Sequence, residues 1–266
     1  MRRLSVSIVF ACLTFLANTP PIVALEIPNY LTNTPIGSWV TMESSVQRGR
    51  KTEIMHMTRS LVGEEMLDGK RYLWVEIKTQ IFKVDRKGKK KPKGDTAYIK
   101  MLSEASLLEG NGANIMGNFR NLAKKMYIKS GDNVMDMSGG GAMADSMMQG
   151  SGSSMDFQMT DLNETRKIDT PLGTVTAHKY KGVSDAKMKV IIKTITTHSD
   201  ADMWLSDEVP FGMVEMHSVT SINGKSETSS SKIIAGGMAG ARSEVDISKA
   251  TENPLNALKS LKFGRK

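Results

Sequence analysis

The chain has 266 residues, 39% of them hydrophobic and 24% charged, with a formal net charge of +8. That length and apolar content support one domain with a sizeable core, not a disordered tail or a small stapled fold. The only cysteine, Cys12, falls in the first segment discussed below, so the remaining chain has no intramolecular disulfide, thiol nucleophile or thiolate metal site to offer.

Arg2 and Arg3 precede an apolar run from Leu4 to Ala17, and the stretch closes on the small residue Ala24. This is the layout of a secretory leader over residues 1–24, with cleavage after Ala24 and a periplasmic or secreted location. The run is about 14 residues, short of the roughly 18 to 20 that cross a bilayer as a helix, and Pro20-Pro21 breaks any helix behind it. Val9-Phe10-Ala11-Cys12 faintly resembles a lipoprotein box, but cutting there would leave an apolar stretch behind, and twin-arginine export lacks its downstream pattern. Cleavage at 24 leaves 242 residues (266 minus 24) and lowers the charge from +8 to +6 by removing two arginines. A balance of that size affects solubility and attraction to anionic surfaces, not fold.

Period-two patterning dominates the first half. Residues 38–46, Thr52–Val62, 71–83 and 96–102 read as four adjacent antiparallel strands, with 63–69 as a connection. In the third, Leu73, Val75, Ile77 and Ile81 share one face, while Tyr72, Trp74, Glu76, Lys78 and Gln80 share the other, so one face is expected to be buried. Between the last two strands, Arg86, Lys87, Lys89, Lys90, Lys91 and Lys93 form a cluster without an acid. An exposed hairpin tip is the simpler reading. The sharper one is contact with an anionic membrane surface, where each cation is worth about 1 kcal/mol. With no aromatic residues interleaved, nucleic acid is not expected as a partner.

A long central helix is predicted over residues 112–127, because Ile115, Phe119, Leu122 and Met126 recur at helical spacing. Residues 138–154 are a glycine-, serine- and methionine-rich loop. Strands follow near 155–168 and 174–182, joined by the Asp169-Thr170-Pro171-Leu172-Gly173 turn. Further strands are read over Lys187–His198, Ala201–Ser206, Gly212–Ile222 and Lys225–Ala235, the last two joined by Asn223-Gly224, a strong hairpin signal. Asn253 and Pro254 open a short C-terminal helix carrying Leu255, Leu258 and Leu261, within a tail spanning 248–266.

Catalytic signatures are sparse. His56, His178, His198 and His217 sit on separate elements, with no HExxH or GxSxG pattern, and His198-Ser199-Asp200-Ala201-Asp202 reads as a polar turn. Methionine is abundant: 20 in all, eight of them from Met126 to Met159. Adaptable thioethers suit an apolar lining. They also suit Cu(I), through Met55-His56-Met57, Met135-Asp136-Met137, Met143 with Met147-Met148, or Met213 to His217. Strand alternation separates Met55 and Met57 from His56, and Met216 from His217. Trp204, beside Leu205 and before Pro210-Phe211-Gly212, reads as a core anchor or a cavity-rim residue.

Gly37-Ser38-Trp39-Val40 at the start of a meander, then Asp169-Thr170-Pro171-Leu172-Gly173-Thr174, then Met203-Trp204-Leu205-Ser206-Asp207-Glu208-Val209-Pro210-Phe211-Gly212 together resemble the outer-membrane lipoprotein-sorting (LolA/LolB-like) superfamily and its periplasmic relatives. The likeness spans most of residues 35–245 as an order of elements. It implies an incomplete antiparallel barrel with a helix-bearing lid over an apolar cavity for acyl chains. The lysine-rich stretch and the glycine-methionine loop depart from that pattern.

The expectation is therefore a mainly β (α+β) domain over 25–247: a curved antiparallel sheet forming an incomplete barrel, with one long central helix and a short C-terminal helix. It would hold a lipid or acylated protein, without catalysis or cofactor, against Leu73, Val75, Ile77, Ile115, Phe119, Leu122, Met126 and Trp204. The alternatives are a structural or interaction domain with a filled core, and a methionine-rich Cu(I) binder.

Overall fold

The computed structural model describes residues 34–48, 51–85, 88–108, 123–138, 154–190 and 193–252. Alternating β-branched, aromatic and polar residues extend into long strands: β1 (Trp39–Arg48), β2 (Lys51–Leu67), β3 (Lys70–Val84), β4 (Lys90–Pro92) and β5 (Ala97–Glu104). After one helical turn, α1 (Ala105–Leu108), come β6 (Lys125–Ser130), β7 (Asn133–Asp136), β8 (Ser154–Thr170) and β9 (Gly173–Val190). The chain continues through β10 (Lys193–Leu205), β11 (Met213–Ile222) and β12 (Lys225–Gly237) to a 3-10 turn (Ile247–Lys249) and β13 (Ala250–Glu252).

Among the described residues all thirteen strands belong to one open sheet, ordered β13-β7-β6-β5-β3-β2-β1-β12-β11-β10-β9-β8, with β4 pairing β3 off that path. Two meanders meet at β1, which pairs antiparallel with β2 on one side and with β12 on the other. The seam needs room for Trp39, which lies opposite Gly237. A Cβ at Gly237 would stand 2.8 Å from Trp39 Nε1. Hairpins close on residues that tolerate positive φ, Asp68-Gly69 and Asn223-Gly224 among them, as two-residue turns between twisted strands demand.

The sheet folds back at its far end. Leu172, in the β8–β9 turn, lies so close to β12 that a Cβ at Gly236 would sit 3.1 Å from its Cδ1. It packs with Val40, Val175, Ala177, Val209, Val214 and Ile233. β8 ends the sheet, interrupted by an irregularity between Asp161 and Thr165 where Asn163 takes φ 54°.

Around β3 both faces of the sheet are buried. On one face, Leu73 and Val75 pack with Leu61 and Ala105, flanked by Ile77, Met101 and Phe211. We call this the loop face, because the 206–212 loop reaches it through Phe211. On the other, Tyr72, Trp74, Tyr98, Leu102, Tyr127 and Val134 pack with Val245. That residue belongs to a strap, residues 241–252, which crosses the sheet and ends as β13, parallel to β7. The expectation that Tyr72, Trp74 and Glu76 face solvent is thus corrected.

Several other expectations give way. Among the described residues there is no long central helix: Lys125, Met126 and Tyr127 already belong to β6, where Met126 pairs with Met101. Ladder pairing beside β5 overrides a helical stripe whose other members, Ile115, Phe119 and Leu122, lie outside the described residues. The incomplete barrel under a helical lid is replaced by one open sheet. Lys187–His198 and Ala201–Ser206 are not two strands. The first spans the end of β9 and the start of β10, and His198 to Asp202 lie inside β10, not in a turn. The glycine-rich loop, apart from Ser138 and Ser154, and the expected C-terminal helix from Asn253 onward lie outside the described residues.

Candidate functional site

Register assembles an apolar surface on the loop face. Leu61 on β2, Val75 on β3, Met101 on β5 and Met126 on β6 are successive cross-strand partners and so share one face. The neighbouring row runs Val40, Arg59, Ile77, Ile99 and Ile128. Four of the expected ligand contacts, Leu73, Val75, Ile77 and Met126, are therefore brought together, Met126 by a strand and not by a helix. Trp204 is not among them. It lies on the row of Lys179 and Glu215, on the face opposite to the buried Met203 and Leu205. There Arg166 stacks 4.2 Å from its ring centroid and Lys179 sits 5.8 Å away.

Arg59 interrupts this apolar surface. It is half-buried between Met57 and Leu61 along β2, opposite Val40 and Ile77, and has no hydrogen bond or ion pair among the described residues. Desolvation lowers its guanidinium pKa below the ordinary value. On the same face, one step along β3 from Ile77, Thr79 is 3% exposed and its Oγ1 has no partner among the described residues. The sequence reading missed Arg59, although the alternation Met57-Thr58-Arg59-Ser60-Leu61 already places it with the apolar residues.

On the strap face the polar groups are well matched. Glu76, 4% exposed, accepts hydrogen bonds from Ser243 Oγ at 2.7 Å, the Glu244 amide at 3.0 Å and the Val245 amide at 3.4 Å. Lys100, 9% exposed and next to Glu76 across the ladder, donates to Ser243 Oγ at 2.8 Å and lies 5.0 Å from the Trp74 ring. Desolvation lowers the Lys100 pKa, against the pull of Glu76 and Asp246. Glu244 accepts from Lys78 Nζ at 2.8 Å and Tyr98 Oη at 2.9 Å. Burial alone would raise its pKa, but those two donors outweigh it and hold the carboxyl below its usual range. This cluster fastens the strap to the sheet.

The other sequence candidates separate. His56 points to the strap face, bonded to Glu43 at 2.7 Å and with its ring tilted against Phe82 at 4.6 Å between centroids, while Met57 joins the loop face. His198, exposed on β10, bridges Asp185 at 2.8 Å and Asp200 at 3.1 Å, and these two bonds raise its pKa. Within the basic cluster, Lys90 pairs with Glu43, Lys93 with Glu53, and Lys91 with Asp85 at 3.9 Å. Arg86 and Lys87 lie outside the described residues. Among the described residues no group of three His, Cys, Asp or Glu is placed to hold a metal, and no helix is long and apolar enough to cross a membrane.

No family model matches the chain, and no curated protein matches it. Two solved structures are similar at low level. One, described as a candidate lipoprotein from Parabacteroides distasonis, is 14% identical with a TM-score of 0.36, covering 77% of this chain and 96% of the other. The second, described as a candidate exported protein with YmcC-like fold from Bacteroides fragilis, is 12% identical with a TM-score of 0.34, covering 77% and 97%. A likeness at those scores settles neither family nor function.

Proposed function

We propose that the protein is exported and works as a non-catalytic binder of an apolar ligand, a lipid or acyl chain laid against the loop face. The supporting observation is the register that sets the partly exposed Ile77, Met101 and Met126 beside the buried Leu61, Leu73 and Val75 on one face, while the strap covers the other. The secretory leader supports the compartment. An acyl chain of about fifteen methylenes gains on the order of 12 kcal/mol gross at roughly 0.8 kcal/mol per buried CH₂. Lost translational and rotational freedom offsets several kcal/mol of that, leaving affinity in the micromolar range or tighter.

The test is native mass spectrometry of the protein recovered from the extracytoplasmic fraction of its own host. The expected result is a chain starting near Leu25 that carries a mass removable by organic extraction. A bare mature chain in repeated preparations refutes the binder, and a retained leader refutes export with cleavage.

One observation favours a second reading. Phe211 touches both the Leu73 cluster and the Val40 cluster, as a self-supplied filling would. A structural or interaction domain with its own packed interior is that reading, and it predicts the bare chain.

A further inference from the structure

Around β2 and β3, apolar packing leaves two side chains of the loop face unexplained. A cation held among aliphatic residues without a counter-ion is destabilising, as is a buried hydroxyl without a partner. Among the described residues Arg59 is such a cation and Thr79 such a hydroxyl, and they are neighbours: Arg59 is opposite Ile77, and Thr79 is the next residue of β3 on the same face. A diagonal pair of this kind is roughly 7–8 Å apart between Cα atoms, within the span of an arginine side chain.

We infer that the Arg59 guanidinium and the Thr79 hydroxyl form a subsite for the carboxylate of a long-chain fatty acid, whose chain lies along the partly exposed Ile77 and Ile99. The inference rests on the apolar-ligand reading and deepens it by naming the ligand class. The guanidinium fork donates two parallel hydrogen bonds to a carboxylate, and the hydroxyl supplies a third donor. One cation and one hydroxyl match a singly charged head on a single chain. The desolvation that lowers the Arg59 pKa also strengthens its attraction for an incoming anion.

The experiment is isothermal titration calorimetry of the delipidated mature chain with palmitate, hexadecanol and 1-palmitoyl lysophosphatidate, all below their aggregation limits. Palmitate is expected to bind at least about tenfold more tightly than hexadecanol, as charge-assisted hydrogen bonds imply. Arg59→Gln should abolish that preference while hexadecanol binding persists, and Thr79→Val should weaken palmitate about threefold. Ligand-free Arg59→Gln should melt higher than the wild type, because the uncompensated cation is gone. Equal binding of palmitate and hexadecanol overturns the subsite but leaves apolar binding intact. Binding of neither overturns both. Tighter binding of lysophosphatidate overturns the carboxylate assignment, and a lower melting temperature for Arg59→Gln marks a structural cation and overturns the inference. Should that variant fail to fold, the wild-type comparison of palmitate with hexadecanol and the Thr79→Val titration still decide it.

Discussion

Replacing Glu76 with glutamine tests whether the strap is held by charge. The carboxylate accepts three hydrogen bonds from residues 243–245, the shortest at 2.7 Å and the longest at 3.4 Å. Hydrogen bonds to an ionised group contribute about 1.5–3 kcal/mol each when well formed. Glutamine keeps one acceptor oxygen and turns an amide donor towards donors, and it leaves the buried Lys100 without its neighbouring negative charge. We expect Glu76→Gln to cost about 2–4 kcal/mol, or roughly 5–15 °C in melting temperature for a domain of this size. Urea unfolding followed by two probes gives the global figure. The Glu244 and Val245 amides bond to different oxygens of Glu76, so amide hydrogen exchange at the two positions reads which backbone bond the remaining amide oxygen keeps and which is lost. Replacing both partners, Glu76→Leu with Lys100→Met, should recover most of the loss, because exchanging a buried ionic pair for apolar side chains is often near neutral. A loss under about 0.5 kcal/mol with unchanged exchange in the strap would refute the reasoning.

Two further outcomes are expected. Phe211 has φ 62°, a strained value for an aromatic residue, so Phe211→Ala should lose packing at about 2–4 kcal/mol while Phe211→Gly, relieved of the strain, should be about 1 kcal/mol more stable than the alanine variant; denaturant titration checks the order, and alanine outlasting glycine would contradict it. Strap protection should also depend on pH. Glu244 has a folded pKa below 4.5, so its contribution is complete above pH 4.5 and is lost as pH falls through that lower folded value. Lys78 has its pKa raised above 10.5, mainly because its bond to Glu244 outweighs desolvation, so its contribution is complete below pH 10.5 and is lost as pH rises through the folded value. Exchange of residues 241–252, corrected for intrinsic rates, should accelerate at both extremes, and a flat profile from pH 6 to 3 would count against the acidic arm.

What the sequence made legible was local. Alternation in 71–83 placed Leu73, Val75 and Ile77 on a common face, and Asn223-Gly224 and the Thr170-Pro171-Leu172-Gly173 stretch marked their hairpins correctly. Burial of the opposite face was hidden, because the covering residues, Ser243 to Val245, come nearly 170 positions after Glu76 and carry little apolar signature themselves. The helical stripe ending at Met126 failed for the related reason that β5 supplies a pairing partner, and a ladder overrides a short periodic coincidence. Arg59 was readable from the parity of β2 but was passed over, since a lone cation amid strand residues ordinarily reads as solvent-facing.

The terminal strand β8 has a bearing on how copies of this molecule coexist at high concentration. Seventeen residues long and, among the described residues, paired only with β9, it could template a neighbouring copy along its outer edge. The kink at Asn163, stapled by its amide to Asp161 at 2.7 Å, and the charged side chains of Glu164, Arg166 and Lys167 spoil a flat docking line. Straightening that kink would lengthen the line along which a second strand could pair.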